Sequence, residues 1–326
     1  MNSKIDVYRF DERDSDEWDE FVDRSCNGTM FHTRRFLNYH PQDRFQDHSL
    51  YFHKKGKQYA VFPSTVTHTK NGDVLHSHPG ASIGSFVTKT FPSLKESFNL
   101  ATSLVQYAKD ENFSGIKITL PPDCYSKSPS NYMEFALLKL GFNYLKREVS
   151  SVMILPSTIE DTMKGFKPSH RQAVRKAEKE GVRIQQSTKY ETFYKILKNN
   201  LSKRHGVSPT HSLKELELIK AIFPNKIILH GAFIEDKMIA GVVSFLLNKR
   251  IQLAFYISHN ENFQEKRALN LLFYTIFTEA VQNGKKVFDF GIFTVNGEPN
   301  FGLARFKENF GASGIFRDTL ELNLTE

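Results

Sequence analysis

Residues 229–242 read LHGAFIEDKMIAGV: an apolar run, the polar pair Glu235-Asp236, and a second apolar run. Apolar stretches joined by a two-residue polar turn are the signature of a β-hairpin. Residues 50–62, LYFHKKGKQYAVF, carry the same signature with Lys55-Gly56 in the turn. Aligning the two turns sets Lys57 beside Lys237 and Ala60 beside Ala240. A pattern met twice in one chain raises the question of duplication before any other.

Working outward, each hairpin is followed by an amphipathic helix that runs into a buried strand. In the first half this is LATSLVQYAKDENFSGIKITL at 100–120, and in the second LNLLFYTIFTEAVQNGKKVFDFG at 269–291. Leu104, Val105, Tyr107 and Ala108 keep helical spacing, as do Leu272, Phe273, Ile276, Phe277 and Ala280. Gly284 stands where a helix C-cap belongs. Each half closes on a short helix, a glycine and a strand: EFALLKLGFNYLKREVSSVMIL and ARFKENFGASGIFRDTLEL. Between them, Ser169 is read as the N-cap of HRQAVRKAEKEG, which stops at Gly181 and carries Arg171, Arg175, Lys176 and Lys179. Three matching blocks in one order imply two diverged copies of an α/β unit with mixed sheets, divided at 155/156.

Bulk properties agree. The chain has 326 residues, 40% of them hydrophobic and 25% charged, which suits two globular domains. From its polar start no leader is expected, and no run approaches the roughly 18 apolar residues of a membrane span. Cys26 and Cys124 lack metal-type spacing, so a reduced, cytoplasmic protein without structural zinc is expected. His76 and His78 have no third ligand at useful spacing, and Pro79-Gly80 beside them signals a turn. The net charge of +8 is compatible with an anionic ligand such as a nucleotide, a phosphorylated cofactor or RNA.

The element order of the second copy is similar to the Gcn5-related N-acyltransferase (GNAT) fold. RQAVRKAEKEGV at 171–182, FDFG at 288–291 and RFKENFG at 305–311 resemble the tandem-lobed FemAB-like acyltransferases. So does the opening block, with Trp18 followed by NGTMFHTRRFLNYH at 27–40. The resemblance implies transfer of an acyl group to an amine, or less often a hydroxyl, from acyl-coenzyme A or an aminoacyl-tRNA. The acceptors it implies are cell-wall precursors, amino sugars and other surface-glycan intermediates.

The loop SHNENFQEKRALN at 258–270 precedes the long helix of the second copy. A helix N-terminus favours an anion through its unsatisfied amides and dipole. Arg267 and Ala268 stand where that fold often has glycines. Gln264, Lys266, Arg267, Ala268 and Asn270 are the candidate donor contacts, the two cations through phosphate.

Lys307 is singled out by the repeat: aligning Gly141 with Gly311 sets Leu137 against it. The resemblance puts the lysine of the FK motif at the active site, where a cation can steady an oxyanion or bind the donor's phosphate end. Asp289 interrupts the apolar VFDFG where the first copy has Lys117. It could take a proton from the attacking amine, or hold the following turn. Tyr256 could protonate a leaving thiolate, and His205, read in a polar loop SKRHGVSP, could serve as base.

Candidate acceptor contacts are His40, where relatives with cell-wall acceptors often carry lysine, Gly80, Arg204 and Arg305. Gly80 and Gly84 would let the backbone approach a substrate. The expectation is therefore acyl transfer, acetyl foremost, from acyl-coenzyme A to an amine on a small or glycan-linked acceptor, with no metal and no DNA. The absence of a long helical arm and of a basic tract beyond 171–179 favours coenzyme A over tRNA. An aminoacyl-tRNA-dependent peptidyltransferase acting on a peptidoglycan precursor is the second expectation. A non-catalytic pair of lobes binding a glycan or nucleotide sugar is the third.

Overall fold

The computed structural model describes residues 5–205 and 208–325, with the backbone alone for 203–205. The chain divides into two compact units: Met1–Glu148 with Phe316–Glu326, and Val149–Ile315. The division differs from the one expected at 155/156 chiefly in the C-terminal segment, which belongs to the first unit. Leu320 is buried there, and Leu322 and Leu324 pack against the same core.

The first unit holds β1 (Ile5–Arg9), α1 (Ser15–Arg24), α2 (Arg34–Leu37), β2 (Gln46–Asp47), β3 (Leu50–Lys54), β4 (Lys57–Phe62), β5 (Ser64–Thr69), β6 (Gly72–Ser77), β7 (Val87–Thr88), α3 (Leu94–Asp110), β8 (Gly115–Thr119) and α4 (Tyr132–Lys139). The strand β9 (Asn143–Ile154) leads out into the second unit. Helix α3 starts ahead of the expected residue 100 because Ser93 and Glu96 cap each other's backbone N–H groups at 3.3 and 2.9 Å.

The second unit holds α5 (Pro168–Lys179), β10 (Arg183–Ser187), α6 (Tyr190–His205), α7 (Leu213–Ile222), β11 (Ile227–Ile234), β12 (Lys237–Leu246), β13 (Ile251–His259), α8 (Ala268–Gln282), β14 (Val287–Ile292), β15 (Thr294–Val295), β16 (Glu298–Pro299) and α9 (Phe301–Glu308). The strand β17 (Ser313–Asn323) returns to the first unit and pairs antiparallel with β8. Helix α5 begins earlier than a Ser169 cap would allow. Lys167 is its N-cap and Pro168 takes the first helical position, where a missing N–H costs nothing.

The two hairpins share a defect as well as a shape. In β3–β4 the register shifts between Phe52 and His53, with Phe52 opposite Ala60. In β11–β12 it shifts between Ala232 and Phe233, with Ala232 opposite Ala240. A bulge at the same offset from both turns is inherited geometry of the kind that families keep. In each unit a parallel strand pair follows: β6 with β8, and β13 with β14.

In the second unit the order is β10-β11-β12-β13-β14-β9. Phe273, Phe277, Phe288, Phe290 and Phe310 form one buried cluster with edge-on and stacked contacts. Fully burying each such ring contributes roughly 1.5–3 kcal/mol. The alternation of VFDFG sends Phe288 and Phe290 into this cluster and Asp289 to the other face of the sheet. Packing thus decides where the carboxylate points.

Candidate functional site

The site is built where β13 and β14 separate. They pair only at Ile251–Val287, Gln252–Phe288 and Leu253–Asp289. Beyond that point Phe255 is the extra residue of a bulge against β12, because Val243 faces Tyr256 while Ser244 faces Ala254. On the other side β14 turns at Gly291 (φ +77°), and its pairing with β9 shifts between Asp289 and Ile292. Two parallel strands that diverge leave backbone amides facing a gap, into which an extended amide-bearing chain can hydrogen-bond as an added strand does.

Asp289 and Lys307 meet at the same backbone turn. The Asp289 Oδ1 accepts 2.6 Å hydrogen bonds from the Ser150 hydroxyl and from the Gly291 N–H. The Lys307 Nζ donates to the carbonyls of Gly291 at 2.8 Å and Ile292 at 3.1 Å. Lys307 is only 1% exposed, which excludes the alternative of a solvated lysine on a short helix. Asp289 does the turn-holding work open to it on sequence, clamping the strand end through the amide two residues on. Ser150, on β9, carries no signal in the sequence, because its partner lies 139 residues away in the chain.

The internal comparison survives in three dimensions. Lys117 is the last residue of the first unit's parallel register, opposite His76, as Asp289 is of the second's, opposite Leu253. Past the short helices, Phe142 N–H reaches the Leu137 carbonyl at 3.2 Å and Ala312 N–H reaches that of Lys307 at 3.4 Å. Leu137 lies in an apolar core, whereas Lys307 occupies the matching place with a charge.

In the first unit the corresponding gap is filled by its own chain. Beyond His76, the Thr119 N–H donates to the Ser77 Oγ at 2.9 Å, and the Thr119 carbonyl accepts from the Gly84 N–H at 2.9 Å. A Cβ on Gly84 would lie 2.6 Å from the Ser77 Oγ, so the close approach there is to the chain itself. His32 Nε2 donates to the Gly84 carbonyl at 3.0 Å, since its Nδ1 must accept the Thr29 N–H at 3.1 Å. Burial holds the His32 imidazole down at about 4.

His40 and Gly80, both expected at an acceptor, are brought together. The His40 Nε2 lies 3.0 Å from the Gly80 carbonyl, and a Cβ on Gly80 would sit 2.3 Å from that nitrogen and 2.6 Å from Phe45. The glycine therefore makes room for a buried histidine. His40 stacks on His78, whose imidazole burial pushes down to about 3. Among the described residues no three His, Cys, Asp or Glu side chains gather to hold a metal ion.

Tyr256 is buried, and its hydroxyl accepts the His211 N–H at 2.9 Å and lies 2.8 Å from the His211 Nδ1. Desolvation pushes its pKa well up, so the phenol is a protonated group here. His211 follows a polar stretch and lacks any sequence signal for this pairing. Arg204 and His205, expected in a loop, instead end α6, whose backbone continues through them; their side chains lie outside the described residues. Arg305 is exposed on α9.

At the start of α8, Arg267 adopts the left-handed conformation (φ +54°) that glycine would take without strain. Its N–H bonds the Gln264 carbonyl at 3.2 Å, while Gln264 and Arg267 present exposed side chains. Lys266 is drawn instead into a 2.6 Å ion pair with Glu180 after α5, which raises its pKa. Ala268 is core, and Asn270 is buried with no hydrogen-bond partner for its Nδ2 among the described residues.

Residues 164–308 match the family model of the acetyltransferase (GNAT) domain. No curated protein matches the chain in sequence. Among solved structures, FemX shares the fold over 98% of this chain and 97% of its own, with a TM-score of 0.76 at 14% identity. L-PGS from Bacillus licheniformis covers 95% of this chain and 92% of its own at TM-score 0.59 and 11% identity. A tandem GNAT protein from the clavulanic acid biosynthesis pathway covers 98% of both at TM-score 0.55 and 8% identity. Residues 164–308 thus carry a GNAT acetyltransferase domain, and the chain shares the fold of FemX along its length.

Proposed function

We propose that the chain transfers an acyl group, acetyl foremost, from acyl-coenzyme A to the amine of a small or glycan-linked acceptor in the cytoplasm. The observation that carries this reading is the separation of β13 from β14 directly before the N-terminus of α8. A donor arm with amides fits the diverging strands, and its phosphates fit the helix start with Arg267 beside it. The unpartnered Asn270 Nδ2 is a further donor for a polar atom bound there. The acceptor amine would attack the thioester carbonyl directly, forming the new C–N bond and expelling the thiolate. In this reading Lys307 steadies the charge that develops on the carbonyl oxygen. Asp289 acts chiefly by holding the 289–292 turn that Lys307 grips, and Tyr256 is the candidate proton source for the thiolate, regaining by way of solvent the proton that the attacking amine loses.

A second reading, an aminoacyl-tRNA-dependent peptidyltransferase acting on a peptidoglycan precursor, is favoured by one feature. Arg267 fills the left-handed position with a long side chain where a glycine would let a pyrophosphate approach the backbone closely. Calorimetry with coenzyme A separates the two. Saturable binding of one molecule per chain is expected, since the first unit's gap holds its own Gly84. Salt-sensitive tRNA binding with none for coenzyme A would establish the second reading. Binding of neither would leave a non-catalytic glycan-binding protein.

A further inference from the structure

Between α6 and the chain that leaves β13, the second unit holds a cavity of about 190 Å³ lined by Ile196, Asn199, Asn200, Asn260, Glu261 and Asn262. Residues 196, 199 and 200 fall on one face of α6. Two adjacent asparagines are poor choices for a helix interior, where their side chains compete for the backbone. Both walls are braced. The Asn200 Nδ2 donates to the Ser258 Oγ at 2.8 Å and to the His259 carbonyl at 2.6 Å. The Asn260 N–H reaches the Ile239 carbonyl at 2.7 Å, and the Asn260 Oδ1 accepts the Asn262 N–H at 3.1 Å. After those bonds, the Asn200 Oδ1, the Asn260 Nδ2 and the side-chain amides of Asn199 and Asn262 make no hydrogen bond among the described residues.

The lining selects a ligand by what it offers and by what it lacks. Ile196 is its single apolar residue, too little to hold an acyl chain or an aromatic ring. None of the six lining residues is basic and Glu261 brings a carboxylate, so a phosphate finds no counter-charge among them. The amides set donors and acceptors side by side. A hydroxyl is both at once, and several hydroxyls on one ring can meet both kinds while the C–H face of the ring covers Ile196. The volume lies below the roughly 300 Å³ at which pockets for drug-sized molecules begin, and suits a single ring. Ser258, which Asn200 grips, stands two residues from Tyr256 on the same face of β13, roughly 7 Å away. We propose that this cavity binds the sugar ring of a glycan-linked acceptor through its hydroxyl groups, beside the reacting centre. The role as acceptor rests on the acyl-transfer reading; the binding of a sugar does not.

The test is saturation-transfer NMR on the full chain with glucosamine, N-acetylglucosamine, galactosamine and glucose at millimolar concentrations. Saturable transfer to the ring protons of at least one of them is expected, and ethanolamine, an amine without a ring, should not displace it. The double variant Asn199→Leu/Asn262→Leu removes two amides from the lining and should weaken that binding about tenfold or more. Both positions are exposed, so its unfolding temperature should not fall below the parent's. No transfer from any of the four sugars would overturn the proposal, as would equal binding by parent and variant or displacement by ethanolamine. Calorimetry with coenzyme A on the same preparation keeps the two readings apart. Sugar binding without coenzyme A binding would sink acyl transfer from coenzyme A and keep the sugar site; coenzyme A binding without sugar binding would do the reverse.

Discussion

Replacing Lys307 by leucine, the residue the first unit carries at the equivalent place, separates chemistry from scaffolding. The substitution removes two charge-assisted hydrogen bonds, to the carbonyls of Gly291 and Ile292. Such bonds contribute about 1.5–3 kcal/mol each, and burying an ammonium costs several kcal/mol in return. The net loss of stability is therefore the small remainder, about 1–3 kcal/mol, within what a domain stable by roughly 5–15 kcal/mol tolerates. Catalysis has no such cancellation. A donor aimed at developing charge contributes roughly 100- to 1,000-fold in turnover. Thiol release from acyl-coenzyme A in the presence of an acceptor, measured beside urea unfolding, should show a folded Lys307→Leu protein with kcat down by about that factor. A folded variant whose kcat stays within about threefold of the parent would refute the role of Lys307. If only KM rose, the lysine would bind donor and have no part in the transition state.

Three further outcomes follow from the geometry. Ser150→Ala and Asp289→Asn should both lower kcat, by about tenfold or more, because each loosens the turn that Lys307 grips; a silent Ser150→Ala beside an inactive Asp289→Asn would make Asp289 act on substrate directly. Arg267→Gly should keep the fold, since glycine takes φ +54° without strain, and weaken coenzyme A binding about tenfold by calorimetry; unchanged affinity would remove the guanidinium from the donor site. Burial lowers His32 from 6.5 to about 4 in the folded chain, so the unfolded chain takes up the proton first on acidification. The stability this residue contributes is complete above about pH 6.5 and is lost as pH falls through about 4, by about 3 kcal/mol. Urea unfolding across that window should show the decline, to which His48, His76 and His78, lowered by burial in the same way, add, and His32→Gln should lessen it by about that amount; an undiminished slope would place the titration elsewhere.

What was legible in the residues was local and periodic. The hairpin turns, the glycines after the short helices and the alternation of VFDFG are short-range signals, and aligning them was enough to set Lys307 against Leu137 and Asp289 against Lys117. The partners that give those side chains meaning come from far along the chain. Ser150 and His211 declare nothing in their own neighbourhoods, because a hydroxyl or imidazole that completes a distant group carries no pattern. The misread positions share that origin. Gly80 looked open because a glycine in sequence shows its freedom and hides its neighbour, here the His40 ring. Lys266 looked available until Glu180 came beside it.

The return of β17 to the first unit has a consequence for how the molecule comes into being. Leu320 pairs with Ile118, so the chain closes a loop of about 200 residues to finish the first core. The entropy of closing so large a loop grows only with its logarithm, and the equilibrium state bears it easily. The order of events is affected more. A nascent chain that has emerged only as far as residue 148 still lacks the strand that seals β8, and Ile118 has no Leu320 to cover it. The first half made is thus among the last to be completed, and through synthesis it offers an unpaired strand edge to any neighbour.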